Sequence, residues 1–122
     1  MKIIELAGLG SAGGALTVLS TKNVVGYIEK IVMDYDDGDT GADAVFTVEE
    51  AGVSIPVLTQ ANLGVADNVF YPRTLANKIA DGTAFTDIAE KIFVAGGAMK
   101  VVISAGGTSK NFRFLIYISD EV

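Results

Sequence analysis

The first residues that could support chemistry are residues 8–13, GLGSAG, a G-x-G-x-x-G pattern directly after an apolar run. Asp34 follows at about the distance at which dinucleotide-binding units keep a ribose-binding acid. Such a unit needs a helix directly after the glycines. Residues 14–21 instead hold another glycine and β-branched Thr17, Val18 and Thr21, which are weak helix formers. We therefore predict a glycine-rich arm or a turn between two short strands, with a small nucleotide-binding enzyme as the alternative.

The second candidate is an acidic segment, residues 34–43, DYDDGDTGAD, which carries five of the fifteen acidic residues. Calcium takes oxygen ligands from acidic loops of this kind. The spacing departs from an EF-hand, because counting from Asp34 the glycine falls at position five rather than six and the final bidentate acid is missing. Calcium binding and a solvated turn between strands both stay open, and we predict no metal or other cofactor.

The third candidate is residues 70–75, FYPRTL, in which Pro72 stiffens the chain between an aromatic residue and a guanidinium. Tyrosine and arginine are frequent anchors of protein interfaces. We therefore predict interface roles for Tyr71, Pro72 and Arg73. The equal alternative is an internal clamp in which Arg73 binds a carboxylate and fixes a loop.

Catalytic residues are scarce in this chain. It contains neither histidine nor cysteine, which excludes disulfides, thiolate chemistry and histidine-based triads. No spacing joins a nucleophile to a base, and the neighbouring Asp36 and Asp37 point to opposite faces if they lie in a strand. We predict that the protein is not an enzyme.

The charge balance limits the partners. The formal net charge is −6, and the nine basic residues are scattered singly from Lys2 to Arg113. Nucleic acid and anionic membranes are therefore not expected as partners. With 122 residues, half of them hydrophobic, the chain suffices for one globular domain.

The elements that must position these candidates read as strands. Residues 44–60 alternate around Ala51-Gly52, which predicts a hairpin with Phe46 and Val48 on one face. Pro56 predicts an edge strand or a bulge. Residues 99–119 predict a second hairpin around residues 105–110.

The last run alternates most regularly, with Phe112, Phe114, Ile116 and Ile118 on one face and Arg113, Leu115 and Tyr117 on the other. Residues 24–36 form a further predicted strand, with Tyr27, Glu29, Ile31 and Met33 opposite Ile28, Lys30, Val32 and Asp34. Residues 88–94 predict another strand. Residues 74–82 predict a short helix or a turn.

These elements predict an all-β fold, namely a single-domain antiparallel β-sandwich of jelly-roll-like type over residues 21–122. Residues 1–20 are expected to be a glycine-rich N-terminal arm. An unfolded arm would expose apolar side chains that a monomer rarely tolerates. We therefore predict a homodimer or homotrimer, with arm residues in the interface: Ile3, Ile4, Leu6, Leu9 and Leu16.

Three stretches carry a resemblance to a known group: GYIEKIVMDYDDGDTGADAVFTV, then YPR, then GTSKNFRFLIYI. Together they cover most of residues 24–118, and they resemble small virion proteins of tailed bacteriophages. The resemblance implies a capsid decoration (cement) protein that binds the major capsid protein at the capsid surface of the virion. It carries over no catalytic residues and does not include residues 7–14.

Two further alternatives stay open. Within the same class, the chain could be a phage tail or head–tail joining component. In another class, it could be a carbohydrate-binding module that uses Tyr27, Tyr35 or Tyr117 on an open face.

Overall fold

The computed structural model describes residues 1–21, 23–34, 41–63, 67–77, 83–107 and 110–120, without the side chains of 75–77 and 85–88. These residues form ten strands and, within the described ranges, no helix. The strands are β1 (Lys2–Leu9), β2 (Leu16–Leu19), β3 (Val24–Met33), β4 (Asp43–Glu50), β5 (Val53–Gln60), β6 (Asn68–Phe70), β7 (Arg73–Asn77), β8 (Ala84–Lys91), β9 (Phe93–Ser104) and β10 (Asn111–Ser119).

Four antiparallel strand pairs are nested along the chain: β1 with β10, β2 with β9, β3 with β6, and β4 with β5. They alternate between a first sheet, β1-β10-β3-β6, and a second sheet, β2-β9-β4-β5. This nested order is that of a jelly roll. The β7–β8 hairpin is inserted between β6 and β9. The predicted all-β, jelly-roll-like sandwich is therefore confirmed.

The core lies between the two sheets and is built by alternation along the strands. Phe46 of the second sheet meets Phe114 of the first edge to face, with ring centroids 5.0 Å apart. Every second residue of β10 is buried, as a half-buried strand requires. The largest fully buried side chains are Phe46, Phe114, Leu6, Ile28, Ile31, Met33, Met99, Ile103, Ile116, Ile118, Val48 and Val94.

The β4–β5 hairpin forms as predicted. Ala51 and Gly52 both have positive φ, 49° and 83°, which gives the backbone twist that a two-residue hairpin favours. The register shifts opposite Phe46 and Thr47, next to Pro56, and β5 lies at the end of the sheet order. Both expectations for Pro56 are therefore confirmed, because a residue without an N–H is tolerated at an edge and at a bulge.

The predicted hairpin over residues 99–119 is wrong in its pairing. The faces of β10 are as expected, but in the described strands β9 pairs with β2, β3 and β4, whereas β10 pairs with β1 and β3. The 105–110 connection therefore crosses from one sheet to the other. It lies beside the β1–β2 connection, where the Gly106 N–H donates to the Gly14 carbonyl at 2.9 Å. Periodicity reports which face is buried, not which strand is the neighbour.

The predicted faces of residues 24–36 are also wrong, because β3 contains a bulge. Tyr117 pairs with Lys30 and Ile118 with Ile28, so Glu29 is the extra residue. The bulge shifts the alternation, so Ile28 and Ile31 both face the core. Residues 35 and 36 lie outside the described residues.

The strand β9 belongs to both sheets and bends where it passes between them. Its first residues, 93–97, pair with β3, and residues 98–104 pair with β4. At the bend a Cβ on Gly97 would lie 2.5 Å from Val48 Cγ1 and 2.9 Å from the Glu49 carbonyl oxygen. Only glycine lets the two sheets approach this closely at the corner.

The expected N-terminal arm over residues 1–20 needs correction. β1 pairs with β10 over its whole length, and β2 pairs with β9. Both strands pack against the core through alternating apolar side chains, so this segment is part of the sandwich. The glycines between them form the turn that we gave as one of two possibilities.

Two smaller predictions also change. The short helix or turn expected at 74–82 is strand β7 up to Asn77, and the rest of that segment lies outside the described residues. The strand expected at 88–94 is the end of β8 and the start of β9, divided at Ile92.

Candidate interaction face

The outer face of the first sheet, the side turned away from the core, carries an apolar band. The strand register places Ile3 beside Tyr117, and Leu115 beside Val32, which in turn lies beside Val69. Ile3 is 54% exposed and Val69 39% exposed, and the other three are half-buried. We call these five residues the apolar band. They form neighbouring cross-strand positions, so their exposed surface is contiguous.

The band continues toward the corner of the sandwich through an aromatic pair. Tyr27 on β3 lies opposite Phe93 on β9, with ring centroids 5.0 Å apart and ring planes inclined by 55°. Phe93 is half exposed, and so is Val25 on the same face of β3. Exposed aromatic side chains of this kind are enriched at protein interfaces.

The rings do not form a flat platform. Phe93 is tilted against Tyr27, and the ammonium of Lys30 lies 4.8 Å from the centre of the Tyr117 ring. Lys30 therefore occupies a ring face that a sugar would need for stacking. Tyr35, the third tyrosine of the carbohydrate alternative, lies outside the described residues.

A charged cluster borders one end of the band. Arg113 on β10 donates to Glu5 on β1 at 3.0 Å and also to Asp34, which follows β3. These two hydrogen bonds, that to Glu5 first, raise the pKa of Arg113 above its ordinary value. The cluster links three segments of the first sheet, and Arg113 keeps its charge at any physiological pH.

The Arg113 cluster also borders an open groove of about 460 Å³, lined by Ala7, Gly8, Leu9, Asp34, Asn111, Phe112 and Arg113. Its charged groups bind one another within the chain. A free anion would therefore compete with two carboxylates for Arg113.

A second ion pair lies near the aromatic pair. Lys91 Nζ is 2.5 Å from Glu29 Oε2. The hydrogen bond from Lys91 lowers the pKa of Glu29 below its ordinary value, and burial opposes this shift. The charges at both ends of the band are thus compensated inside the chain, which leaves apolar area as the main resource for contact.

The Tyr-Pro-Arg segment lies beside the middle of β3. Arg73 Nη1 lies 2.7 Å from the Pro72 carbonyl oxygen, 3.2 Å from that of Glu29 and 3.4 Å from that of Ile28. The internal clamp therefore forms, although Arg73 binds carbonyl groups rather than a carboxylate. Pro72 is buried, and Tyr71 is 61% exposed. The interface roles of these residues stay predictions, and both Tyr71 and Arg73 are exposed.

The predicted interface residues of the N-terminal segment divide into two groups. Leu6 is fully buried in the core, and Ile4 and Leu16 pack against it half-buried. For these three the reason given for an interface role is wrong, because the strands cover them within their own chain. Ile3 and Leu9 point outward and are exposed.

Several residues of this face had no site role in the sequence prediction, namely Val25, Val32, Val69, Phe93 and Leu115. Tyr27 and Tyr117 were named there only for the carbohydrate-binding alternative. The available signal was the run FRFLIYI in residues 112–118. A strand with one solvent-exposed face should alternate apolar and polar residues. This run is instead apolar on both faces over most of its length. That pattern indicates a second, unsatisfied apolar face.

The glycine motif and the acidic segment gain no support as ligand sites. Gly8 and Leu9 end β1, and a turn closed by the hydrogen bond from Ser11 N–H to the Ala15 carbonyl leads into β2. A dinucleotide site needs a helix there. Residues 35–40 lie outside the described residues, and the described part of the chain holds no cluster of three acidic residues suited to a metal ion.

Comparison with known proteins adds little. No family model matches the chain, and no curated protein matches it. One solved structure, the crystal structure of FLHE, has a TM-score of 0.39 and 11% sequence identity, with 94% of each chain covered. A likeness at this level carries no argument. In the described residues no helix is long and apolar enough to cross a membrane.

Proposed function

We propose that the protein is a non-enzymatic structural protein of a tailed-phage virion that binds the major capsid protein and reinforces the capsid shell. The resemblance of residues 24–118 to small virion proteins supports this proposal. The jelly roll is compatible with it, since viral capsid domains use this fold, but lectin domains use it too, so fold alone does not decide.

The observation that carries the proposal is the apolar band with its aromatic extension. Monomeric soluble proteins rarely leave contiguous apolar patches on an otherwise polar surface without a use for them. A rigid sheet face needs no reorganisation on docking, so little of the contact energy is lost to ordering. A flat, repeating shell surface is a partner of suitable shape for such a face.

The test compares matched changes on the two outer faces. Val69→Asp with Phe93→Asp places two carboxylates at the band and its aromatic extension. Val45→Asp with Val53→Asp does the same on the second sheet, where Val45 is 38% exposed, close to the 39% of Val69. Circular dichroism establishes that both variants fold.

The binding assay uses particles purified from the phage that encodes the chain. Loss of desolvated anchors at a central contact typically costs about 2 kcal/mol, or roughly 30-fold in affinity. We expect the first pair to leave the particles and the control pair to remain bound. Equal retention of both pairs, or absence of the wild-type chain from the particles, contradicts shell binding.

A map of the particle distinguishes the capsid from the alternative positions. Electron cryo-microscopy should show the chain on the shell rather than at the tail or the head–tail joint. Reinforcement requires one more result, namely that shells stripped of the protein burst at a lower temperature. Shells that survive heating equally well would leave a bound protein without a cementing role.

A further inference from the structure

The outer edge of β1 is a free strand edge. Within the described ranges β1 pairs only with β10, so its opposite side presents unpaired backbone N–H and carbonyl groups over eight residues. Such an edge is a template for pairing with another strand.

The other long edge strand of the sandwich is protected in a way that β1 is not. β5 carries Pro56 and a bulge, both of which disturb pairing with a further strand. β1 has no proline, and its register with β10 runs without a shift from Lys2 to Leu9. Of these two edges, that of β1 has the more regular backbone and is therefore the better suited to strand addition.

Space is present beside this edge. One groove of about 410 Å³ is lined by Lys2, Ile3, Ile4, Asn23 and Val24, and another of about 280 Å³ by Ile3, Ile4, Glu5, Ser20 and Thr21. Both lie between β1 and the chain segment that leads from β2 to β3. Residues 2–5 therefore border open space, with that segment on the far side of it.

We propose that the edge pairs with the β1 edge of a second copy of this chain, antiparallel and about a two-fold axis at Leu6. A two-fold pairing that keeps each strand's inner and outer faces must join residues of equal parity, because side chains alternate between the faces. Two such registers use nearly the whole strand: one is centred on Glu5, the other on Leu6.

Charge and apolar matching select the second register. Centring on Glu5 would place two carboxylates directly opposite each other, which is destabilising. Centring on Leu6 places Glu5 opposite Ala7 and Ile3 opposite Leu9 on the outer face. Ile3 and Leu9 are 54% and 59% exposed in the single chain, and each is covered by the other across the junction. Glu5 stays bound to Arg113 of its own chain.

This pairing joins the first sheets of two copies into one continuous sheet and unites their outer faces. It goes beyond shell binding and does not depend on it, because Val69 and Phe93, which test the shell contact, lie on β6 and β9, away from the β1 edge. Failure of one proposal therefore leaves the other standing.

The experiment uses the absence of native cysteine. Ile3→Cys and Leu9→Cys are prepared as separate full-length proteins, mixed, and treated with an oxidant or a short bismaleimide. The register predicts that the main covalent product of the mixture is a dimer that joins one variant to the other. Ile3→Cys alone should give little, because two such residues would lie about 20 Å apart, six residues along the strands. Ile3→Cys mixed with Val53→Cys, on the protected edge, is the matched control.

Sedimentation of the unmodified protein at micromolar concentration supplies the second measurement, and we expect twice the chain mass. A monomer at every concentration overturns the proposal. A dimer in which residues 3 and 9 do not cross-link, or in which the Val53 control links equally well, overturns the register and with it the proposed interface.

Discussion

The two outer faces of the sandwich are built on similar strands but differ in the polarity of their exposed side chains. On the first sheet, the apolar band and the Tyr27–Phe93 pair face solvent. The ion pairs of this face lie at its border, and Lys30 lies over the Tyr117 ring. On the second sheet, the outward positions of neighbouring strands mix hydroxyls and charges with apolar residues, of which Val45 and Val102 are neighbours. Registered positions include Thr17 beside Val102, Val102 beside Val45, Val45 beside Thr59, and Lys100 beside Thr47.

A carboxylate on the second face, that of Glu49, is bound by side chains of its own chain. Ser54 donates to Glu49 at 2.6 Å, Thr47 donates to the same carboxylate at 3.0 Å, and Lys100 lies 3.7 Å from it. These hydrogen bonds, that from Ser54 first, lower the pKa of Glu49 below its ordinary value. A face of this kind is suited to water, whereas the first face leaves apolar area without a partner. The comparison shows that the two outer faces of the same sandwich are suited to different surroundings, one to water and the other to an apolar partner.

The largest effect on stability is expected at the corner where β9 passes from one sheet to the other. Gly97→Ala should destabilise the fold by about 1–3 kcal/mol, because the new Cβ would overlap Val48 and the Glu49 carbonyl group. Gly41→Ala is the matched control, since a Cβ there meets nothing within 4 Å. Chemical denaturation measures both. If the two variants are equally stable, the sheets are not held together at this bend as closely as described.

A smaller effect is expected at the border of the first face. Arg73→Ala removes the contacts to the carbonyl groups of Ile28 and Glu29 and should cost about 1 kcal/mol. Tyr71→Ala, on the neighbouring exposed side chain, should change stability by less than about 0.5 kcal/mol. Thermal unfolding of both variants sharpens the distinction between clamp and contact residue. A larger loss of stability from Tyr71→Ala than from Arg73→Ala would show that Arg73 is not the clamp residue.

The smallest effect is a pH dependence that both faces share. Glu29 and Glu49 have pKa values below the ordinary 4.5, so each stabilises the fold above that value. That stabilisation is lost as the pH falls through the lowered pKa of the folded state. We expect Glu29→Gln and Glu49→Gln each to make the fall in melting temperature between about pH 7 and about pH 3 shallower. Profiles parallel to that of the wild type would show that neither hydrogen bond matters to stability.

The sequence sufficed for those features that depend on local pattern. Alternation placed Phe112 and Phe114 in the core, and Ala51-Gly52 marked the one hairpin that was correctly assigned. Alternation could not show the bulge at Glu29. An inserted residue shifts which side chains face the core, and no residue type marks the insertion. Strand partners in a nested fold lie far apart in the chain, and periodicity carries no information about them.

The candidate face was only partly predictable, for a related reason. Ile3 and Leu9 were assigned to an interface, but on the assumption of an arm that does not fold into the core. The structure instead places β1 in an antiparallel sheet, with Glu5 outward against Arg113. Tyr117 and Val69 become neighbours of Ile3 and Val32 only through pairing across the sheet. That these residues are neighbours could be known only from the register of the strands.

The pairing of β1 with β10 has a consequence for the time course of folding. Residues 2–9 are synthesised roughly a hundred residues before residues 111–118, which at 5–20 residues per second is a delay of about 5–20 s. During this interval β1 lacks the strand that later covers one of its edges, so both edges are open to neighbouring nascent chains. Folding of so non-local a topology is intrinsically slow as well. Nascent chains translated from the same messenger RNA would thus come together while β1 of each is still unpaired.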